Sequence, residues 1–125
     1  MNSIHLVLKK ASAGEDFYLL LGDFLDEFYR SGQTVRQEMI AGRPGEMAGG
    51  RREILGFAAS VAHKLANDYG LVVPRWVFEK RCYLYDEPFF ACGATGNLRL
   101  LFMYKSPTEF KHRNLFVDEN VLVRV

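Results

Sequence analysis

Two stretches of the chain repeat apolar residues at the spacing of an amphipathic helix. In the first, the apolar positions follow i, i+3, i+4, i+7, i+8 and i+11: Phe17, Leu20, Leu21, Phe24, Leu25 and Phe28. This continuous stripe predicts a helix over residues 13–30 that ends before Ser31 and Gly32. Ser12 and Glu15 have the spacing of a capping box, in which each side chain satisfies a free backbone donor at a helix start.

The second helical stretch covers residues 51–69. One face of it carries Ile54, Ala58, Val61, Ala62, Leu65 and Tyr69. Alanines on the same stretch leave room for a neighbouring element to approach closely. Gly70 suits the left-handed conformation that closes a helix, and Leu71 can fold back as the accompanying hydrophobic contact.

Shorter elements lie between and after these helices. The pattern from Thr34 to Ile40 predicts a short helix, and the glycine-rich segment Gly42–Gly50 predicts a loop. Pro74 predicts a helical turn that carries Trp76 and Val77, because its ring presets the backbone angle of a first helical residue.

The C-terminal third has a weaker pattern. Residues 97–104 are nearly all apolar, so periodicity leaves both a helix and a strand open. Ser106 and Glu109 form a second apparent capping box, with proline at the first helical position, that opens a turn through Arg113. The closing residues 121–125 alternate and are β-branched, which favours a terminal strand.

These elements predict one mainly α domain over residues 1–125, a helical bundle of four to six helices with a short C-terminal strand pair. An α+β fold is the alternative. A hydrophobic content of 49% with 25% charged residues argues against disorder. The apolar runs are too short to span a bilayer, and Lys9 and Lys10 follow the first short run rather than preceding a longer one as in a signal peptide. We therefore expect a cytoplasmic protein without membrane contacts.

The net charge of the chain is too small to attract polyanions over a long range. Sixteen basic and fifteen acidic residues leave a net charge of +1, so any nucleic-acid binding would depend on a local patch. The best candidates for such a patch are Arg43, Arg51 and Arg52. A second short basic cluster consists of Lys105, Lys111, His112 and Arg113. Nearby acids balance both clusters, which favours a solvated charged face.

Catalytic and metal-binding motifs are weak. The two cysteines, Cys82 and Cys92, and the three histidines lack the close pairing of zinc sites, so we expect no metal and no cofactor. The chain has no nucleophile elbow, phosphate-binding loop or dinucleotide fingerprint. A small enzyme that uses His63 or Cys82 in a pocket is a third hypothesis.

The segment from Trp76 to Phe90 is unusually aromatic. Its aromatic residues are Trp76, Phe78, Tyr83, Tyr85, Phe89 and Phe90. Such side chains dominate interface hot spots, but they also fill ordinary cores, and both interpretations remain open.

The closing segment Ser106–Val117, followed by Asn120–Leu122, resembles the ending of a group of small bacterial proteins without established activity. Residues 71–77, Tyr83–Leu84 and Glu87–Phe90 resemble the middle of the same proteins. Some proteins of this appearance are associated with toxin–antitoxin loci, which implies an antitoxin-like or regulatory binding role.

The leading functional hypothesis is therefore a non-enzymatic protein-interaction or regulatory module, with a protein partner or a second copy as its target. A nucleic-acid-binding regulator is the alternative. The candidate partner-binding residues are Trp76, Tyr83, Tyr85, Phe89, Phe90, Arg113 and Asn114. For Arg113 a structural role is also open, in which its guanidinium holds backbone carbonyls or an acid such as Asp118.

Overall fold

The computed structural model describes residues 2–47 and 51–124, without the side chain of Cys92. The described residues form six α-helices: Ile4–Ser12 (α1), Phe17–Arg30 (α2), Gln33–Ala41 (α3), Arg52–Tyr69 (α4), Gly96–Lys105 (α5) and Thr108–His112 (α6). Two short strands, Phe89–Phe90 (β1) and Leu115–Phe116 (β2), pair in parallel. The predicted mainly helical fold with a short strand pair near the C-terminus is confirmed.

The N-terminal part differs from the predicted single helix over residues 13–30. A separate helix, α1, begins after Ser3, whose Oγ accepts a hydrogen bond from the Leu6 N–H at 3.2 Å. The cap of α2 is Asp16, whose Oδ1 accepts from the N–H groups of Tyr18 and Leu19. The predicted capping box is wrong, because Ser12 is the last residue of α1 and the carboxylate next to the apolar stripe caps α2 instead.

The middle of the chain follows the sequence pattern closely. Helix α3 covers the predicted short helix, residues 42–47 lack regular structure, and 48–50 lie outside the described residues. Helix α4 ends at Gly70, which has a left-handed φ of 67°. The Leu71 N–H then donates to the Ala66 carbonyl at 2.9 Å. The turn predicted after Pro74 is a 3₁₀ turn over Arg75–Phe78.

Helix α4 is the central element of the core. Helices α1 and α6, strand β2 and the turns at residues 75–82 all pack against it. Eleven of its eighteen residues are buried, so it is enclosed on more than the single face that the sequence predicts. Gly56 makes the closest approach, since a Cβ at this position would lie 2.9 Å from the Cys82 carbonyl oxygen.

The C-terminal region contains two differences from prediction. The terminal strand predicted over 121–125 does not form within the described residues: 121–124 are turns and irregular chain, and residue 125 lies outside them. The pairing near the C-terminus is made by β1 and β2 instead. Ser106 does not cap α6, because its Oγ accepts from the Val117 N–H at 2.7 Å and donates to the Phe102 carbonyl at 2.6 Å. The hydroxyl instead links the end of α5 to the residue that follows β2, and α6 begins without a side-chain cap.

Helix α5 resolves the ambiguity of residues 97–104, since the whole segment is helical. It lies in the connection between β1 and β2 and packs against β2. No helix among the described residues combines the length and apolar character needed to cross a bilayer.

Candidate protein-interaction surface

The most exposed apolar feature of the described chain is α5. Five of the thirteen exposed large apolar side chains lie on this ten-residue helix: Leu98, Leu100, Leu101, Met103 and Tyr104. We call these five side chains the α5 surface. A helix that is apolar on nearly all sides is normally buried in a core, whereas α5 leaves these five side chains exposed.

The exposed side of α5 is here called its outward face. Residues 97, 100, 101 and 104 follow i, i+3, i+4 and i+7, which places them along one side of a helix. Tyr104 is 77% and Leu100 63% exposed on this side. Phe102 points the other way and is only 6% exposed, so it anchors the helix to the protein.

Two local devices fix the ends of α5. At the start, the Arg99 Nε donates to the Ala94 carbonyl at 2.8 Å, and its guanidinium lies 4.3 Å from the centre of the Phe90 ring. At the end, the Lys111 Nζ donates to the Tyr104 carbonyl at 2.7 Å. Both cations therefore satisfy backbone oxygens while the apolar side chains between them stay exposed.

The predicted aromatic segment is divided between core and surface. Trp76 is buried, and its Nε1 donates to the Ile40 carbonyl at 3.0 Å. Tyr85 is exposed, and its ring lies 6.3 Å from that of half-buried Tyr83. Phe89 is half-buried against the core. Phe90 is also half-buried, and stacks on Phe116 beside α5. Among the predicted partner-binding aromatics, Phe90 contacts α5 through the Arg99 guanidinium.

Arg113 and Asn114 hold the strand region together. Arg113 is 1% exposed and donates through Nη2 to the Val77 carbonyl at 2.9 Å and through Nη1 to the Glu109 carbonyl at 2.9 Å. Its backbone oxygen accepts from the Leu84 N–H. Asn114 has a left-handed φ of 65°, and its amide donates to the Leu84 carbonyl. Arg113 thus performs the carbonyl-holding role foreseen for it, without Asp118 among these contacts.

The predicted basic patch is partly brought together. Arg51 and Arg52 border a cleft of about 230 Å³ together with Arg81. Arg43 pairs instead with Glu79 at 2.7 Å, and this hydrogen bond lowers the pKa of Glu79. The Arg51 Nη1 donates to the Ala11 carbonyl at 3.3 Å. These contacts give the arginines structural roles, and nucleic-acid binding stays a prediction.

The two residues proposed for an enzyme site, His63 and Cys82, each contact neighbouring groups of the fold. The Cys82 thiol is buried and donates to the Trp76 carbonyl, and burial raises its pKa to about 11. A thiol of that pKa carries almost no thiolate at neutral pH. His63 is half-buried, and its Nδ1 accepts from Arg113. Within residues 2–47 and 51–124, no group of three or more His, Cys, Asp or Glu side chains could hold a metal ion.

The sequence pattern alone does not identify the α5 surface, for a physical reason. The apolar run at 97–104 was visible, but an all-apolar run predicts burial as readily as exposure. The stronger signal was the charge pattern, since Arg99 and Lys105 are the only charged residues from Pro88 to Thr108.

Comparison of the chain with models of known protein families, with curated proteins and with solved structures gives no match.

Proposed function

We propose that this protein is a non-enzymatic interaction module that binds another protein through the α5 surface. The observation that carries the proposal is the exposure of five large apolar side chains on one ten-residue helix. Monomeric proteins rarely leave contiguous apolar patches of more than a few hundred Å² in water, and larger ones mark binding sites.

The geometry of α5 fits binding by a helix face. Its outward residues at 97, 100, 101 and 104 have the spacing with which amphipathic helices enter apolar grooves. Tyr104 adds a large ring with a polar tip, and tyrosine is enriched at interface hot spots. Phe90 and Phe116 stack at 5.1 Å, and Phe90 also contacts Arg99 near the start of the helix.

The sequence resemblance supports a narrower form of the proposal. In that form the protein is the antitoxin-like or regulatory component of a bacterial two-gene system and acts in the cytoplasm. The α5 surface would then be the part that contacts the partner gene product.

Site-specific photo-crosslinking in the native cells tests the proposal. A photoreactive phenylalanine at position 104 should give covalent protein adducts. The same residue at position 19 provides the control, because Leu19 is 72% exposed and lies on α2. We expect adducts from position 104 only, and their loss when Leu101→Asp is added while the thermal transition is unchanged. Equal labelling from both positions, or none from position 104, would contradict the proposed function.

A further inference from the structure

We infer that the occupant of the α5 surface is a protein segment whose apolar stripe is bordered by acidic residues. This inference rests on the proposed function and adds the chemical character of the partner.

The charged residues of the segment that contains α5 are of one sign. From Pro88 to Thr108 the chain carries two cations and no acid. On a helical projection Lys105 lies on one flank of the outward face, about 90° from its centre, whereas Arg99 lies near the back of the helix, on the side of Phe102. Lys111 adds a third cation at the C-terminal end, where its Nζ reaches the Tyr104 carbonyl. The outward stripe is therefore bordered by the cations Lys105 and Lys111 and by no acid of Pro88–Thr108. Such a stripe matches a partner that carries carboxylates beside its own apolar stripe.

A second copy of this chain fits the same surface poorly. If two α5 helices packed antiparallel, Lys105 of each copy would approach the α5 N-terminus of the other, which carries a partial positive charge. If they packed parallel, the two Lys105 side chains would face each other. No acid within Pro88–Thr108 is available to offset either arrangement, and like charges across an interface disfavour the pairing.

Two synthetic helical peptides of about 18 residues, or five turns, test the inference. Both carry the same leucine stripe, flanked in one by glutamate and in the other by lysine. We expect the glutamate peptide to bind about tenfold more tightly at about 50 mM salt, and the difference to shrink at about 500 mM salt through screening. Lys105→Gln should reduce the preference for glutamate, whereas Leu101→Asp should abolish binding of both peptides.

Other outcomes overturn the inference in distinguishable ways. Equal binding of the two peptides would remove the acidic character of the partner and leave the proposed function intact. A dimer in sedimentation velocity that Leu101→Asp dissociates would identify a second copy as the occupant. Cosedimentation with phosphatidylcholine–phosphatidylglycerol vesicles, lost in Leu101→Asp, would identify a lipid surface and would also contradict the proposed function. Binding of neither peptide would overturn the inference, while the crosslinks from position 104 report separately on the proposed function.

Discussion

The guanidinium of Arg113 and the imidazole of His63 share one partly buried contact. Both Nη atoms of Arg113 lie 3.2 Å from the Nδ1 of His63. Because a guanidinium can only donate, Nδ1 must be the acceptor, which places the proton of the neutral ring on Nε2. Burial and then the Arg113 charge lower the pKa of His63. Protonation of this ring would therefore put two cations against each other.

Stability should consequently fall as the solution is acidified from pH 6.5. The pKa of His63 in the unfolded chain is near its ordinary value of 6.5, and it is lower in the folded protein. The unfolded state therefore binds more protons below pH 6.5, and the contribution of the neutral ring is lost as pH falls toward the folded pKa. Urea unfolding between pH 8 and 5 measures this loss. In His63→Gln, whose amide oxygen can still accept from Arg113, the decline over this range should be smaller, and identical curves would exclude His63 as its source.

Replacing Arg113 should damage the fold rather than a surface. Arg113→Ala leaves the Val77 carbonyl without the guanidinium and opens a cavity beside Tyr83, whose ring centre lies 5.0 Å from the guanidinium carbon. We expect a loss of about 3 kcal/mol in the free energy of unfolding, measured by urea denaturation. Arg75→Ala, at an exposed position of the neighbouring turn, should change it by less than about 0.5 kcal/mol. A stable Arg113→Ala variant would argue against the structural role.

The two possible caps of α2 can be separated by paired substitutions. Asp16 accepts two backbone hydrogen bonds at the start of the helix, and loss of such a cap costs about 1 kcal/mol. Asp16→Ala should lower the free energy of unfolding by that amount, and Glu15→Ala should leave it nearly unchanged. A larger loss of stability in Glu15→Ala than in Asp16→Ala would instead support the capping box predicted from the sequence.

The elements that the sequence predicts correctly are those whose structure depends on residues close together in the chain. Helix α4 and its Gly70 cap follow from periodicity and from the backbone freedom of glycine. At the start of α2 several capping residues stand close together, and the choice of Asp16 over Ser12 depends on α1, which occupies the preceding residues. The local sequence pattern does not show which of these residues caps α2.

Contacts between residues that lie far apart in the chain could not be predicted from the sequence pattern. Arg113 contacts Val77, which is 36 residues away in the chain, and His63, which is 50 residues away. Ser106 reaches Val117 across the α6 segment. The exposure of an apolar run also depends on the tertiary structure, because the rest of the chain must provide enough surface to bury it. The α5 surface therefore emerged only with the fold.

A single methyl group at Gly56 should disrupt the centre of the protein. A Cβ there would lie 2.9 Å from the Cys82 carbonyl oxygen and 3.2 Å from the Leu115 Cδ1. Because the first contact is to backbone, relief requires the turn at 80–82 to move away from α4. We expect Gly56→Ala to cost about 2 kcal/mol or more by thermal or urea unfolding. Gly45→Ala is the matched control, since a Cβ there meets nothing within 4 Å, and similar losses in both variants would refute the close packing.

Hydrogen exchange should distinguish α5 sharply from α4 in the isolated protein. Helix α5 has ten residues with Phe102 as its buried anchor, and helices of this length are marginal in water without packing. Helix α4 has eleven buried residues and lies in the core. The α5 amides should therefore exchange through local opening, far faster than the α4 amides, which need nearly global unfolding. A bound partner should slow exchange in α5 and leave α4 unaltered, because it covers the α5 surface alone. Mass-spectrometric exchange of the free protein and of a complex with the glutamate-flanked peptide measures both effects, and equal protection of α5 and α4 in the free protein would contradict an uncovered helix.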